Sequence, residues 1–165
     1  MLFKRPTERG IVCWDRHFMN IAELTASDRS KDPNTQVGAC IVNPDNRIVG
    51  VGYNGFPNGC SDDEFPWERT SESGSPLDTK YLYVVHAELN AILNSTTNLV
   101  GCTIYVTMLP CNECAKAIIQ SGIRRVIFTD DKYKDTDSCI ASMRMLQASG
   151  VNLMKLRSDD SLLRV

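Results

Sequence analysis

The chain has 165 residues, of which 42% are hydrophobic and 23% charged, and this is typical of one domain with a sizeable core. With a net charge of −2 and 7% aromatic residues, it lacks the basic excess and the stacking side chains that grip a nucleic-acid strand. No apolar run is long enough to cross a membrane, and the charged first residues precede no apolar segment. We therefore expect one domain over residues 1–165, a cytoplasmic location, and no nucleic-acid or membrane partner.

The first predicted element is an amphipathic helix over residues 14–29, where apolar residues recur at helical spacing. Two strands follow, 37–42 and 47–53, and the Asn-Pro-Asp-Asn sequence between them favours a hairpin turn. The segment at about 55–80 is rich in Gly, Pro, Ser and acidic residues. It is long for a loop in a compact domain, and such loops are usually functional or disordered. We call this segment the insert.

The second half of the chain alternates helices with strands. Helices are predicted over residues 86–94, 110–121 and 137–149, and strands over 103–108, 125–128 and 151–156. Gly122 and Gly150 follow the last two helices, where glycine commonly ends a helix. The complete order predicts a three-layer α/β/α sandwich around a mixed five-stranded sheet.

The strongest motif combines His86-x-Glu88 with Pro110-Cys111-x-x-Cys114. The two cysteines are three residues apart at the start of a predicted helix, so their sulfurs share a face and the helix end favours thiolates. His86 adds an imidazole from the start of another helix. Three protein ligands leave the fourth zinc position for water, as catalytic zinc sites do. The motif therefore predicts one catalytic Zn²⁺ per chain on these three residues.

Glu88 is the residue that converts this metal site into an enzyme. It lies two residues from His86, close enough to reach the zinc water without being a ligand. Zinc lowers the pKa of its water to about 7, and a carboxylate can take that proton, deliver it to ring N3 of a cytosine and then protonate the leaving ammonia. The paired motifs are the signature of zinc-dependent nucleobase deaminases.

Each half of the motif also has an ordinary explanation. C-x-x-C alone fits a redox pair or half of a structural zinc knuckle, and H-x-E alone fits a helix surface. A closed structural zinc would take its fourth ligand from the remaining cysteines, Cys13, Cys40, Cys60, Cys102 or Cys139. Cys40 and Cys102 lie in or beside predicted strands, where core burial is the expected role. Seven cysteines, an odd number, do not favour disulfides.

Beyond this motif, the chain resembles the cytidine deaminase superfamily and, within it, the deoxycytidylate deaminases, from Trp14 to about Leu156. The resemblance is carried by RSKDPN (29–34), QVGAC (36–40), GYNG (52–55), PNGCSD (57–62), HAELNAI (86–92) and PCNECAK (110–116). The zinc motif indicates the superfamily, and the insert with Gly-Tyr-Asn-Gly at its start indicates the deoxycytidylate branch. The resemblance implies a cytidine deaminase-like fold and hydrolytic deamination of dCMP to dUMP, which feeds thymidylate synthesis.

The resemblance also implies substrate-binding residues. Asn54 matches a position that contacts the nucleoside, and Ala87 is placed in the same site; the alternative for Asn54 is a turn residue in the left-handed conformation. The candidates for the phosphate are Ser30 and Lys31 after the first helix, with Lys132 and Tyr133 after the fourth strand. Tyr133 is also placed to close over the base or sugar. For each of these the alternative is a solvated loop residue.

Regulation and assembly follow from the resemblance alone. It implies a homohexamer that dCTP activates and dTTP inhibits, with Mg²⁺ accompanying the triphosphate. The candidate effector residues are Asn58, Ser61 and Asp62 in the insert, whose movement would depend on Gly52, Gly55 and Gly59. Relatives with a second, structural zinc use additional histidines, and the insert contains none, so we expect one zinc.

Three alternatives stay open from the sequence: two other deaminases of the same superfamily and a relative without activity. A deaminase of free nucleosides would need neither the insert nor a phosphate site, and an editor of tRNA or single-stranded DNA would need a basic, aromatic groove. A zinc-stabilised relative without activity would often lack the glutamate that is present here at Glu88.

Overall fold

The computed structural model describes residues 10–165. The elements in chain order are α1 (Trp14–Arg29), β1 (Gly38–Val42), β2 (Ile48–Tyr53), α2 (Ala87–Leu93), β3 (Thr103–Met108), α3 (Asn112–Gln120), β4 (Arg125–Asp130), α4 (Asp137–Ala148), β5 (Asn152–Leu156) and β6 (Leu162–Arg164). Every predicted helix and strand is present, and α1 has the predicted bounds. Pro110 was predicted as the first residue of the third helix; in the structure it precedes Cys111, the N-cap residue of α3.

The strands form one sheet in the order β2-β1-β3-β4-β5-β6. β1 is antiparallel to β2 and β3, while β3, β4 and β5 are parallel to one another, so the predicted mixed sheet is confirmed. The sheet has one strand more than the five predicted, because β6 pairs antiparallel with β5 at the edge. Within the described residues no helix is both long and apolar enough to cross a membrane.

Alternate residues of β1 divide the core into two layers. Cys40 and Val42 pack with Phe18 and Met19 of α1 on one face of the sheet. Ala39 and Ile41 face the other side, where α2, α3 and α4 cover the sheet. Since β1 is buried on both faces, its sequence is a continuous apolar run. This arrangement confirms the predicted three-layer sandwich.

Gly52 allows α2 to lie against β2 at a distance that no side chain would permit. A Cβ built at this position would lie 2.3 Å from both the Ala87 carbonyl oxygen and the Ala91 amide nitrogen. The prediction that Gly52 lets the insert move is therefore wrong, because the residue is buried in a strand beneath a helix. Its effect is to fix the start of α2, where His86 and Glu88 lie.

The insert is closed at its base by an isolated antiparallel bridge between Gly55 and Val85, with N–O distances of 3.1 and 2.8 Å. Phe56 of the insert packs against Trp67 with ring centroids 4.2 Å apart and ring planes tilted by 41°, and Phe65 meets Tyr83, just after the insert, edge-on at 5.1 Å. Two short 3₁₀ turns, Pro76–Asp78 and Lys80–Leu82, complete the insert. The insert thus has a small aromatic cluster of its own beside the main core.

Candidate active site

Two helix starts bring the three predicted metal ligands together. His86 is the N-cap residue of α2, and Cys111 is the N-cap residue of α3, with Cys114 in the first turn of that helix. The Nδ1 atom of His86 lies 3.4 Å from the Sγ atom of each cysteine. The ligand atoms of all three residues lie within 4.8 Å of one another.

This donor set fits zinc. Tetrahedral coordination with Zn–N and Zn–S bonds of about 2.0 and 2.3 Å separates neighbouring ligand atoms by roughly 3.5–3.8 Å, close to the separations seen here. One imidazole and two thiols are also the donor types that zinc prefers. Among residues 10–165, no further His, Cys, Asp or Glu joins this group. Cys139 lines the cavity beside these ligands, but it is not part of the ligand group.

The pKa values of the three ligand side chains are shifted in different directions. Hydrogen bonding to Cys111 raises the pKa of His86 to about 9, and hydrogen bonding from Cys114 lowers the pKa of Cys111 to about 4. The same Cys111–Cys114 hydrogen bond, together with burial, raises the pKa of Cys114. Cys111 is therefore a thiolate at neutral pH, and metal binding has to displace protons from His86 and Cys114.

Glu88 lies in the first turn of α2, 4% exposed. Burial raises the pKa of its carboxyl group, and the charge of neighbouring His86 opposes that shift. A carboxyl group in such an environment can both accept and return a proton, which is the property expected of a general acid–base residue.

Two members of the ligand group, His86 and Cys111, line a cavity of about 460 Å³ together with Glu88. This volume is within the range of small-molecule sites. Among the predicted substrate residues, Asn54, Ala87 and Tyr133 line the cavity. Met108 and Leu109, at and just after the end of β3, supply an apolar part of the wall.

Asn54 lies at the centre of a buried hydrogen-bond network. Its Oδ1 atom accepts from the Ser30 hydroxyl (2.6 Å) and the Val37 amide (2.8 Å), and its Nδ2 atom donates to Asp32 (3.3 Å) and to the Thr35 carbonyl (2.9 Å). These bonds use the full capacity of the side-chain amide. Asn54 does not have a positive φ, so the alternative of a left-handed turn residue is wrong.

Asp32 links this network to the insert. The carboxylate accepts from the amides of Asn34 (2.8 Å) and Thr35 (3.1 Å) and pairs with the Lys80 ammonium. The side chains of Asp32 and Lys80 are 2% and 8% exposed. A buried charge needs such a partner, so this pair fixes the end of the insert against the cavity.

The expected phosphate residues are mostly elsewhere. Lys31 is exposed, pairs with Asp62 and does not line the cavity. Ser30 is buried, and its hydroxyl donates to Asn54. Lys132 lies outside the cavity, 3.9 Å from an Asp130 carboxylate oxygen. These three residues therefore do not line the cavity, and Tyr133 is the member of that set that does.

The candidate effector residues lie away from the cavity. Asn58 is exposed, the Ser61 hydroxyl accepts from the Asp63 amide, and Asp62 pairs with Lys31. None of the three lines the cavity. Arg69, Lys80 and Tyr81, which no sequence pattern singled out, do line the cavity. All three come from the insert or its end, where no spacing pattern marks a residue that folds back over a site.

The fold and the cavity define a zinc-binding deaminase domain, and comparison with known families agrees. Residues 12–130 match the model of the cytidine and deoxycytidylate deaminase zinc-binding region. The chain therefore belongs to this family.

Several proteins similar to this chain are deoxycytidylate deaminases, one branch of the family. Human deoxycytidylate deaminase is 59% identical over 143 residues, which cover 86% of this chain and 79% of the human protein. A probable deoxycytidylate deaminase of Drosophila melanogaster is 57% identical over 84% of this chain and 70% of its own length. The dCMP deaminase of cyanophage S-TIM5, solved in complex with dCMP and dUMP, has a TM-score of 0.66 at 28% identity, covering 93% of this chain and 99% of the phage chain.

Proposed function

We propose that the chain hydrolyses dCMP to dUMP and ammonia. The observation that carries this proposal is that His86 and Cys111, which form a ligand group with Cys114, line one cavity together with Glu88, within a chain 59% identical to human deoxycytidylate deaminase. The cavity has the volume of a small-molecule site, as a mononucleotide substrate requires.

His86, Cys111 and Cys114 hold the zinc ion through one nitrogen and two sulfur atoms. When bound, zinc lowers the pKa of a water molecule to about 7 and so supplies a nucleophile at neutral pH. The two helices contribute to this site in different ways. α3 presents both sulfurs from one turn and stabilises a thiolate at its N-terminus, while α2 supplies the imidazole and the acid–base group.

Glu88 moves the protons of the reaction. Its carboxylate accepts a proton from the attacking water and donates it to N3 of the cytosine ring. It then takes the second proton from the hydroxyl group added at C4 and gives it to the departing amino group, which leaves as ammonia while a carbonyl forms at C4. Since the side chain is buried, water does not compete for these transfers. A positioned acid–base group of this kind contributes about 10²–10⁴ in rate.

The remaining walls orient the base and sugar. Ala87 lies between the metal ligand and the acid–base group, and Tyr133 faces the same space from the loop after β4. Asn54 acts through the network it joins: its amide fixes Ser30, Asp32 and Thr35 beside the cavity. A direct bond from Asn54 to the sugar requires exchange of one of these partners.

The proposal is tested by ammonia release from zinc-loaded protein offered dCMP, CMP, deoxycytidine and a cytosine-containing oligonucleotide in parallel. We expect the highest kcat/KM with dCMP and loss of that activity in Glu88→Ala. A preference for deoxycytidine or the oligonucleotide would keep the zinc chemistry and overturn the substrate. Metal binding without turnover of any substrate would support the inactive relative.

We also propose that the chain is one deaminase domain, cytoplasmic, with one zinc per chain, and that it assembles as a homohexamer which dCTP, with Mg²⁺, activates and dTTP inhibits. The support for regulation and assembly is the resemblance to deoxycytidylate deaminases. The effector residues proposed on that basis are Asn58, Ser61 and Asp62. Light scattering with dCMP saturation curves at fixed dCTP or dTTP tests this, and a monomer with effector-independent curves would contradict it.

A further inference from the structure

Among residues 10–165, two basic side chains besides His86 line the cavity, Lys80 and Arg69, and only Arg69 has charge available for a ligand. Lys80 is buried against Asp32, and the two charges neutralise each other. Asp32 is in turn saturated by two backbone amides and Asn54. Moving the Lys80 ammonium to a ligand would leave a buried carboxylate uncompensated. The Lys80 ammonium therefore neutralises Asp32 and is not available to bind a ligand.

Arg69 is in the opposite situation. Within residues 10–165, no carboxylate oxygen lies within salt-bridge distance of its guanidinium group, whose Nε–H donates to the Tyr81 hydroxyl at 3.2 Å. Tyr133 lies close enough that its hydroxyl, with that of Tyr81, raises the pKa of Arg69. All three side chains line the cavity. The cavity thus has one uncompensated permanent positive charge besides the metal site, with two phenolic hydroxyls next to it.

The backbone beside Arg69 is fixed although the side chain is exposed. The amide of Lys80 donates to the carbonyl of Glu68 at 3.0 Å. Lys80 is itself anchored through its side chain to Asp32. Glu68, which precedes Arg69, is therefore connected to the cavity residue Asp32 by two successive contacts through Lys80. These contacts fix the backbone next to Arg69, from which its guanidinium group reaches the cavity.

Resting on the proposed function, we propose that Arg69 binds the 5′-phosphate of the nucleotide and makes the enzyme select dCMP over deoxycytidine. A guanidinium offers parallel N–H groups that match two phosphate oxygens, and charge-assisted pairs of this type are strong. The Tyr81 oxygen accepts from Arg69, which leaves its O–H free to donate to the same phosphate. Lys31 and Lys132, the candidates from sequence, are outside the cavity and paired with Asp62 and Asp130.

The test compares kcat/KM for dCMP and for deoxycytidine in zinc-loaded wild type, Arg69→Gln, Arg69→Lys and Lys31→Gln. We expect Arg69→Gln to lower the dCMP-to-deoxycytidine ratio by about 10- to 100-fold, mainly through KM for dCMP. Arg69→Lys keeps the charge and loses the paired geometry, so it should fall between wild type and Arg69→Gln. Lys31→Gln, which changes an exposed residue outside the cavity, should leave the ratio unchanged.

The outcomes separate this inference from the proposed function. If wild type prefers dCMP and Arg69→Gln retains that preference, the role of Arg69 is overturned while the function stands. If Lys31→Gln lowers the ratio in place of Arg69→Gln, the phosphate lies outside the cavity and the inference fails. If wild type prefers deoxycytidine, the proposed function fails and the role of Arg69 fails with it.

Discussion

The two walls of the cavity are built in different ways. The metal wall, comprising His86, Glu88 and Cys111 with Cys114 as the third metal ligand, lies on helix starts, and α2 packs against the sheet so closely that a Cβ at Gly52 would lie 2.3 Å from it. The insert wall, comprising Arg69, Lys80 and Tyr81, lies on a long segment with two short 3₁₀ turns.

We therefore assign the chemical step to the metal wall and recognition of the phosphate to the insert wall. Proton transfer and metal binding require positions within fractions of an ångström, so their residues are carried by regular, buried elements. Selection of a phosphate requires a charge at the rim, which a loop can supply on a rigid scaffold. Damage to the metal wall should therefore lower kcat, and damage to the insert wall should raise KM.

Removing zinc should give the largest effect, complete loss of activity. Its pH dependence has a defined sign. Since the pKa of His86 is raised to about 9 and that of Cys114 is also raised, both groups carry protons at neutral pH, and zinc binding should release about two protons. Zinc affinity should therefore fall as pH is lowered. Calorimetry in buffers of different ionisation enthalpy measures the release, and proton-independent binding would contradict this assignment of the ligands.

Glu88→Gln should lower kcat by at least about 10²–10⁴ while zinc content stays at one per chain. Because burial raises the pKa of this carboxyl group, replacing it by a neutral isostere should leave the free energy of unfolding unchanged or higher. The matched control is Glu113→Gln, an exposed glutamate of α3 that pairs with Lys116 outside the cavity. Equal losses in the two variants would remove the acid–base role from Glu88.

Lys80→Met should cost about 3–5 kcal/mol of unfolding free energy, because Asp32 would remain as a buried charge without its partner. The loosened insert should also raise KM for dCMP more than it lowers kcat. Denaturant unfolding measures the first effect. Asp32→Asn combined with Lys80→Met should recover part of the loss, since both charges are then absent. A negligible cost for Lys80→Met would mean that this pair does not anchor the insert.

Gly52→Ala should cost about 1–3 kcal/mol, since the added methyl group meets the backbone of α2 and has to displace the helix. Because α2 carries Glu88, kcat should fall with stability. Gly59→Ala is the matched change in the insert: its Cβ meets nothing within 4 Å, but the φ of +88° costs roughly 1–2 kcal/mol. Its kcat should stay near the wild-type value, and a loss of kcat equal to that of Gly52→Ala would remove the distinction between the two walls.

The same difference explains what the sequence could predict. His86 and Glu88 are two residues apart and Cys111 and Cys114 are three apart, so local geometry places the members of each pair together, and the combined motif marks the two pairs as one site. The Asp32–Lys80 pair spans 48 residues and Arg69 lies in an aperiodic segment, so neither has a local signal. The sequence instead favoured Lys31, after the first helix, and Lys132, after the fourth strand, and neither lines the cavity.

The sheet shows this limit as well. β1 to β5 have enough apolar residues for their period to be recognised, and they were predicted within about two residues of their ends. β6 has three residues and follows a turn in which Asp160 has a positive φ. Its existence depends on the free edge of β5, with which Leu162–Arg164 pairs, and not on a pattern within the segment itself.

The central claim is that one cavity holds the cytosine ring against the metal wall and the phosphate against the insert wall. The most direct measurement is a crystal structure of zinc-loaded Glu88→Gln with dCMP. We predict the amino-bearing carbon of the base beside His86, Cys111 and Cys114, and the phosphate within hydrogen-bond distance of Arg69. A phosphate bound at Lys31, or directed away from the insert, would contradict the account.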